Sequence, residues 1–238
     1  MRMITVKNVE ALSELAAAAI LSKMTAERRM NVALTIGSAS KRIYKRIIER
    51  MKNAPACPNF HLYICDGALL EGSDHTNTYV EMKKSFCDPA KIRTENIHEL
   101  TTENYKTFDQ QIAEAGGLDL IVISLSNDGH FLGNMPQTTD FDSLCYEVEI
   151  KPDYPWYEAF VENYRDSGQP IPRSFVTMGP QSVLKAQEVL LIVYGSDQTE
   201  ALAKMLKDPL TEDFPASVLR LHPNITVIAD EEAAKLIN

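Results

Sequence analysis

Leu120–Pro136 reads LIVISLSNDGHFLGNMP, an apolar run that stops abruptly at Asn127-Asp128-Gly129-His130. From Leu118 to Leu125 β-branched and aliphatic residues follow one another with little interruption, the pattern of a strand buried on both faces. Strands of that kind belong to parallel sheets covered by helices. A carboxylate and an imidazole two residues apart, at the carboxyl end of such a strand, stand where open α/β sheets place their ligands. One stretch thus points both to a fold class and to a place for chemistry.

The flanking segments agree with it. Val9–Met24 carries Leu12, Leu15, Ala16, Ala19 and Ile20 at the spacing of one helix face. Val32–Ile36 predicts a short buried strand ending at Gly37, and Ser40–Arg50 returns to helical periodicity. Phe60–Cys65 predicts the next strand, followed by a loop with Gly67, Gly72 and Asp74. Thr76–Phe86 and Asn104–Ala115 read as helices, the second stopped by Gly116-Gly117. Beyond the opening stretch, Glu147–Lys151, Ser174–Met178, Val189–Tyr194 and Ile225–Ala229 read as strands, with helices at Pro180–Gln187 and Thr199–Lys207. This alternation predicts an α/β fold with a doubly wound, mostly parallel, Rossmann-like sheet and helices on both faces. We read residues 1–238 as one domain. Lys151–Arg173, with four prolines, Trp156 and Gly168, is irregular enough to be a lid or insertion within it.

Composition narrows the function classes. At 238 residues with 45% hydrophobic and 24% charged residues, the chain has the balance of a globular protein with a sizeable core. A formal net charge of −9 argues against nucleic acid or an anionic membrane as partner. Cys57, Cys65, Cys87 and Cys145 form no CxxC pair and no Cys/His cluster, so the pattern gives no zinc or iron–sulfur site and no metal ligand set. Leu15–Leu21 is alanine-rich and too short to span a bilayer, and the opening residues do not read as a signal peptide. A cytoplasmic protein with reduced cysteines is the plain expectation.

Three strand ends carry candidate chemistry. At Gly37-Ser38-Ala39-Ser40, backbone N–H groups at a helix start and two hydroxyls would make an anion cradle. A serine there is equally a structural helix cap. At Cys65-Asp66-Gly67, a carboxylate leaving a buried strand can serve as a general base, or merely close an Asx-turn. At Asp128-Gly129-His130 the acid can orient an imidazole able to exchange protons near neutral pH, whereas a loop histidine bonded only to backbone would do nothing.

Taken in order, these segments are similar to a known family. Gly37-Ser38-Ala39-Ser40, Cys65-Asp66, Asp74-His75-Thr76-Asn77-Thr78-Tyr79, Gly116-Gly117-Leu118-Asp119-Leu120, Asn127-Asp128-Gly129-His130 and the tail Pro215–Pro223 together resemble the glucosamine-6-phosphate deaminase (isomerase) and 6-phosphogluconolactonase superfamily. The resemblance runs from about Val6 to Ala234. The Asp-Gly-His-Phe form and Thr177-Met178-Gly179-Pro180 lean towards the deaminases and their relatives called galactosamine-6-phosphate isomerases. It implies a sugar-phosphate substrate, no metal and no organic cofactor. Asp66 would shuttle a proton between C2 and C1 of a hexosamine phosphate. Asp128 and His130 would open the pyranose ring, and Gly37, Ser38 and Ser40 would face the phosphate. Members occur as monomers and as oligomers, which leaves a homo-oligomer open.

The chain departs from the pattern at several of these places. Gly67 stands where the deaminases carry a second acid after Asp66, and Met135 replaces the glutamate of the Asn-Glu-Pro segment. Ser124 and Ser126 replace glycines before the Asp-Gly-His motif, adding side chains where the backbone would approach a ligand. Gln198 aligns with the family's phosphate lysine, so an active enzyme would take another substrate or draw on another cation, with Arg165, Arg173 and Lys204 as candidates. Two expectations follow. One is a divergent isomerase or deaminase of an amino-sugar phosphate; the other is a catalytically silent sugar-phosphate-binding paralogue, with a 6-phosphogluconolactonase as a third. His61 and His222 read as structural, and Glu212, Asp213, Asp230, Glu231 and Glu232 as a solvated acidic face.

Overall fold

A computed structural model describes residues 1–70, 72–167 and 170–237, with side chains throughout except at positions 38, 163, 166 and 167. Its centre is a seven-stranded sheet in which every pairing is parallel. The strands are β1 (Arg2–Val6), β2 (Met30–Leu34), β3 (Phe60–Ile64), β5 (Ile97–Glu99), β6 (Leu120–Ser124), β9 (Val189–Val193) and β10 (Ile225–Asp230). They lie in the order β1-β10-β9-β6-β2-β3-β5. The chain therefore winds from β2 outward through β3 to β5, then returns to β6 and winds the other way. The reversal falls between β2 and β6.

Strand alternation divides the core between two faces. Leu120 and Val122 of β6 pack on one side with Leu34, Ile64 and Ile192; Ile121 and Ile123 pack on the other with Ala33, Tyr63 and Leu191. The first face is covered by α1 (Val9–Met24) and α2 (Ser38–Met51), which bring Leu12, Ile20, Ile43 and Ile47. The second is covered by α4 (Tyr105–Glu114) and α7 (Thr199–Lys207), through Phe108, Ile112, Leu202 and Met205. Burial on both faces explains why β9 and most of β6 carry unbroken apolar sequence and why β2 is interrupted only by the buried Asn31. Asn8 starts α1 by accepting the Ala11 N–H at 3.0 Å.

The two edge strands β1 and β5 lack a clear strand pattern in the sequence: β1 is interrupted by Thr5 and opens on Arg2, and β5 is three residues long with His98 and Glu99 side by side. Two of the expected strands also lie elsewhere. Tyr146–Glu149 (β7) and Ser174–Thr177 (β8) do not join the parallel sheet. With β4 (Asp66–Gly67) they form a small antiparallel sheet in the order β4-β8-β7. It sits where β3 ends, so it props the Asp66 strand end from above. The region expected as a lid contains an eleven-residue helix, α5 (Tyr157–Ser167); its positions 168 and 169 lie outside the described residues. Trp156 and Tyr164 of this region are buried against Phe160 and Phe175. The remaining helices, α3 (Asn77–Met82) and α6 (Pro180–Leu184), are short.

One acid departs from its expected place. Asp230 is not on a solvated face: it is 5% exposed, accepting from the Gly195 N–H at 3.0 Å and the Ala233 N–H at 2.9 Å. His222 is buried and structural, bonded to the Ala186 carbonyl at 2.8 Å and accepting the Asn224 N–H at 3.1 Å.

Candidate active site

The reversal between β2 and β6 is where an open α/β sheet leaves a crevice at its carboxyl edge. Three strand ends meet there. After β3 comes Asp66; after β2 comes Thr35; after β6 comes the loop that holds Asp128 and His130. A cavity of about 450 Å³ opens over them, lined by Asp66, Asn127, Asp128 and His130 on its polar side. Met135, Trp156, Phe160, Tyr164 and Phe175 form its apolar wall.

The Asp128-Gly129-His130 loop is locked by its own backbone. Ser126 N–H donates to the His130 carbonyl and Gly129 N–H to the Ser126 carbonyl, both at 3.0 Å. The turn requires Gly129, whose φ is +87° and whose missing Cβ would lie 2.3 Å from the Phe214 ring. The neighbouring Ala216 N–H donates to the Gly129 carbonyl at 2.8 Å, which explains why the Pro215–Pro223 tail accompanies the motif.

Within this loop Asp128 Oδ1 lies 2.6 Å from His130 Nδ1 and accepts the His130 N–H at 3.1 Å. On the far side of the ring, Nε2 lies 2.9 Å from Ser126 Oγ. Burial pushes the Asp128 carboxyl up, but the hydrogen bond and charge of His130 more than offset it and hold it below its usual range. Asp128 is thus an anion that orients the imidazole.

Asp66 has the opposite character. Burial raises its carboxyl to about 6, although a hydrogen bond from Thr35 and the charge of His130 both pull it down. The Thr35 hydroxyl donates to Oδ1 at 2.5 Å. Two carboxyls in one cavity are therefore driven apart by their surroundings, the arrangement expected of groups with separate proton-transfer roles.

The loop after Asp66 is fixed by Asp74–Asn77. Glu99 accepts from the Thr76 N–H at 2.6 Å and hydroxyl at 2.8 Å, and lies 2.7 Å from His75 Nδ1. Asn77 Oδ1 accepts the Ala68 N–H at 2.9 Å, and its amide reaches the Tyr164 hydroxyl at 3.1 Å. The same packing explains Gly67. A Cβ there would stand 2.7 Å from the Thr76 side chain, so this backbone has no room for a second acid beside Asp66. Asp119 proves structural, accepting from Asn31 N–H at 2.8 Å and from Arg28 at 2.7 Å to tie β6 to β2.

The expected phosphate turn lies apart from this cavity. Gly37 and Ser40 line a separate space of about 30 Å³ with Tyr44, Val122 and Ser124. Ser40 Oγ accepts the Gly37 N–H and donates to the Gly37 carbonyl, each at 2.7 Å. The side chain of Ser38 lies outside the described residues. The two spaces are joined through Thr35, which lines the smaller one and bonds Asp66 in the larger. Gln198 Oε1 accepts the Tyr194 N–H at 2.9 Å. Of the three cations named above, Arg165 pairs with Glu158 at 3.6 Å and Arg173 lines another cavity with Ser73 and Thr102. Among the described residues no group of three or more His, Cys, Asp and Glu side chains is placed to hold a metal ion. Nor, among the described residues, is any helix long and apolar enough to cross a membrane.

Sequence reasoning did not single out Thr35, Asn77 or the aromatic wall as part of this site. Thr35 had no signal beyond its place at a strand end. The wall had one: Trp156, Phe160 and Tyr164 recur every fourth residue, the signature of one helix face, hidden among flanking prolines.

Acid and imidazole groups at the switch point of a doubly wound sheet mark a candidate site, and the comparisons with known proteins give the family. The chain belongs to the family of glucosamine-6-phosphate isomerases/6-phosphogluconolactonase, whose model matches residues 6–228. It is 31% identical over 244 residues to a glucosamine-6-phosphate deaminase of Shouchella clausii, covering 99% of this chain and 97% of that one. It is equally 31% identical to a deaminase of Lysinibacillus sphaericus, covering 96% and 98%. In fold it matches a solved monomeric glucosamine-6-phosphate deaminase with a TM-score of 0.86 at 24% identity, over 99% and 100% of the two chains. The 6-phosphogluconolactonase of Trypanosoma brucei gives 0.74 at 15% identity, over 100% of this chain and 98% of that one.

Proposed function

We propose that this chain is a divergent amino-sugar-phosphate isomerase/deaminase. It would convert a hexosamine 6-phosphate from aldose to ketose, with release of ammonia from C2. The observation that carries this reading is the meeting of Asp66 with the Asp128–His130 pair in one cavity. In this account His130, oriented by Asp128, exchanges the protons that open the pyranose ring. Asp66 then takes the proton from C2 and returns it at C1. A carboxyl near 6 suits both halves of that transfer, since a base too weak cannot remove the proton and one too strong does not give it back. The aromatic wall excludes water from the intermediate.

A coupled assay of the purified protein against glucosamine 6-phosphate, galactosamine 6-phosphate and 6-phosphogluconolactone tests the reading, with Asp66→Asn and His130→Ala as controls. Turnover of at least one amino-sugar phosphate, abolished by both substitutions, is expected. Because Asp66 must be ionised to act, kcat/KM should rise as pH rises through about 6. Turnover of the lactone alone would reassign the chain to the lactonases.

The second reading, a silent sugar-phosphate-binding paralogue, is favoured by Met135, which lines the cavity where the family pattern has an acid. It predicts a thermal shift with a sugar phosphate and no turnover of any of the three compounds.

A further inference from the structure

His130 is held at both ring nitrogens, and only one of its anchors belongs to the Asp-Gly-His motif. Asp128 fixes Nδ1, and Ser126 Oγ stands 2.9 Å from Nε2. A ring bonded through one atom can still swing about that bond; a ring bonded at opposite nitrogens has its plane and tautomer set. Base, orienting acid and hydroxyl here have the mutual geometry that handles protons on many unrelated folds.

Ser126 stands where the family pattern has glycine, and Met135 stands where it has a third acid. Met135 lines the cavity with His130 and is 8% exposed, a side chain with no proton to hold and only a weakly accepting sulfur. The turn before Met135 is closed without it: Asn134 donates its side-chain amide to the carbonyls of Phe131 and Met178 at 3.1 and 2.9 Å. Against the family pattern, the chain thus lacks an acid at one position lining this cavity and has a hydroxyl against the imidazole.

We propose that Ser126 is a positioning residue that replaces the third acid: acting through Nε2, it holds His130 in the orientation and tautomer needed for ring opening. The proposal rests on the isomerase/deaminase reading for its chemistry, but its core, the control of His130 by Ser126, does not. With Nδ1–H given to Asp128, the Ser126 hydroxyl donates to the Nε2 lone pair. As ring opening begins the hydroxyl gives up Nε2 to the sugar oxygen whose proton His130 exchanges, so Ser126 sets the ring's plane and tautomer before the transfer.

The test combines a spectroscopic and a kinetic arm on the full chain. With ¹⁵N-labelled histidine, the Nε2 resonance of His130 should move clearly in Ser126→Ala and return towards its wild-type position in Ser126→Thr, which restores the hydroxyl. In the assay, Ser126→Ala should lower kcat about tenfold with KM little changed, consistent with the loss of one hydrogen bond that acts in the transition state. Ser126→Thr should keep most of the rate. The double variant Ser126→Gly, Met135→Glu, which restores the family pattern at both places, should regain activity lost in Ser126→Gly alone. An Nε2 resonance unmoved by Ser126→Ala, or Ser126→Ala at full rate, overturns the proposal. If the wild type turns over no amino-sugar phosphate, the activity proposed above fails, and the Nε2 comparison alone decides whether Ser126 governs His130.

Discussion

At the ends of β3 and β6 polar side chains look into open space, whereas at the ends of β2 and β9 they fold back on their own backbone. Asp66, Asp128 and His130 line a cavity of about 450 Å³. Ser40 is bonded twice to Gly37, and Gln198 to the Tyr194 N–H. All four strands end on the same edge of one sheet, so the fold alone does not decide which ends are available. Local hydrogen bonding does. The residues proposed to move protons and those first expected to face an anion hang from different strands, and only the former line the larger cavity.

The largest expected effect lies on the open side. Removing the imidazole with His130→Ala, or the base with Asp66→Asn, should lower kcat by at least about a hundredfold, read in the coupled assay. Equal loss from Ser40→Ala would erase the contrast, since it would show that the closed turn takes part as fully as the open one.

Next is the turn that holds the open side open. Gly129→Ala must force a side chain into left-handed backbone and against the Phe214 ring. A loss of about 3 kcal/mol in urea unfolding is expected.

Asp66 should give a smaller effect of opposite sign. Its folded carboxyl titrates near 6, above the unfolded value, so the folded state holds its proton more tightly. This contribution is present at low pH and is lost as pH rises through the window from about 4 to 6. Asp66→Asn should therefore stabilise the fold above pH 6 by about 2 kcal/mol and change little at pH 4, measured by paired melts. A group proposed for catalysis that costs stability fits the usual trade between the two. An Asp66→Asn variant less stable than wild type at pH 7 would contradict it.

Smallest is the effect on the closed side. Gln198→Lys places a cation where the family pattern has one, and should lower KM for a phosphorylated substrate about tenfold at unchanged kcat. An unmoved KM would place the phosphate away from β9.

Much of the open side was legible in the sequence, and for a physical reason. A strand buried on both faces must be apolar throughout, so Leu120–Ser124 ends visibly where polar residues begin. Asp128 and His130 owe their pairing to two residues of separation in a glycine turn. Asp66 and His130, by contrast, come from different strands, and their meeting depends on β2 lying between β3 and β6. The closed side was not legible. Ser40 as cradle and Ser40 as cap have the same sequence; only the direction of its hydroxyl separates them. Nor could spacing show that β7 and β8 leave the parallel sheet, or that Asp230 is buried under Gly195.

The central claim is that Asp66 and His130 act in one site on a hexosamine phosphate. The most direct measurement is ¹H NMR of glucosamine 6-phosphate incubated with the protein in D₂O, following the C2 proton and the appearance of the ketose phosphate. Loss of the C2 signal with formation of the ketose, both absent in Asp66→Asn, is the predicted result. A C2 signal that persists unchanged for glucosamine and galactosamine 6-phosphates alike, in a protein that binds them, would contradict the account.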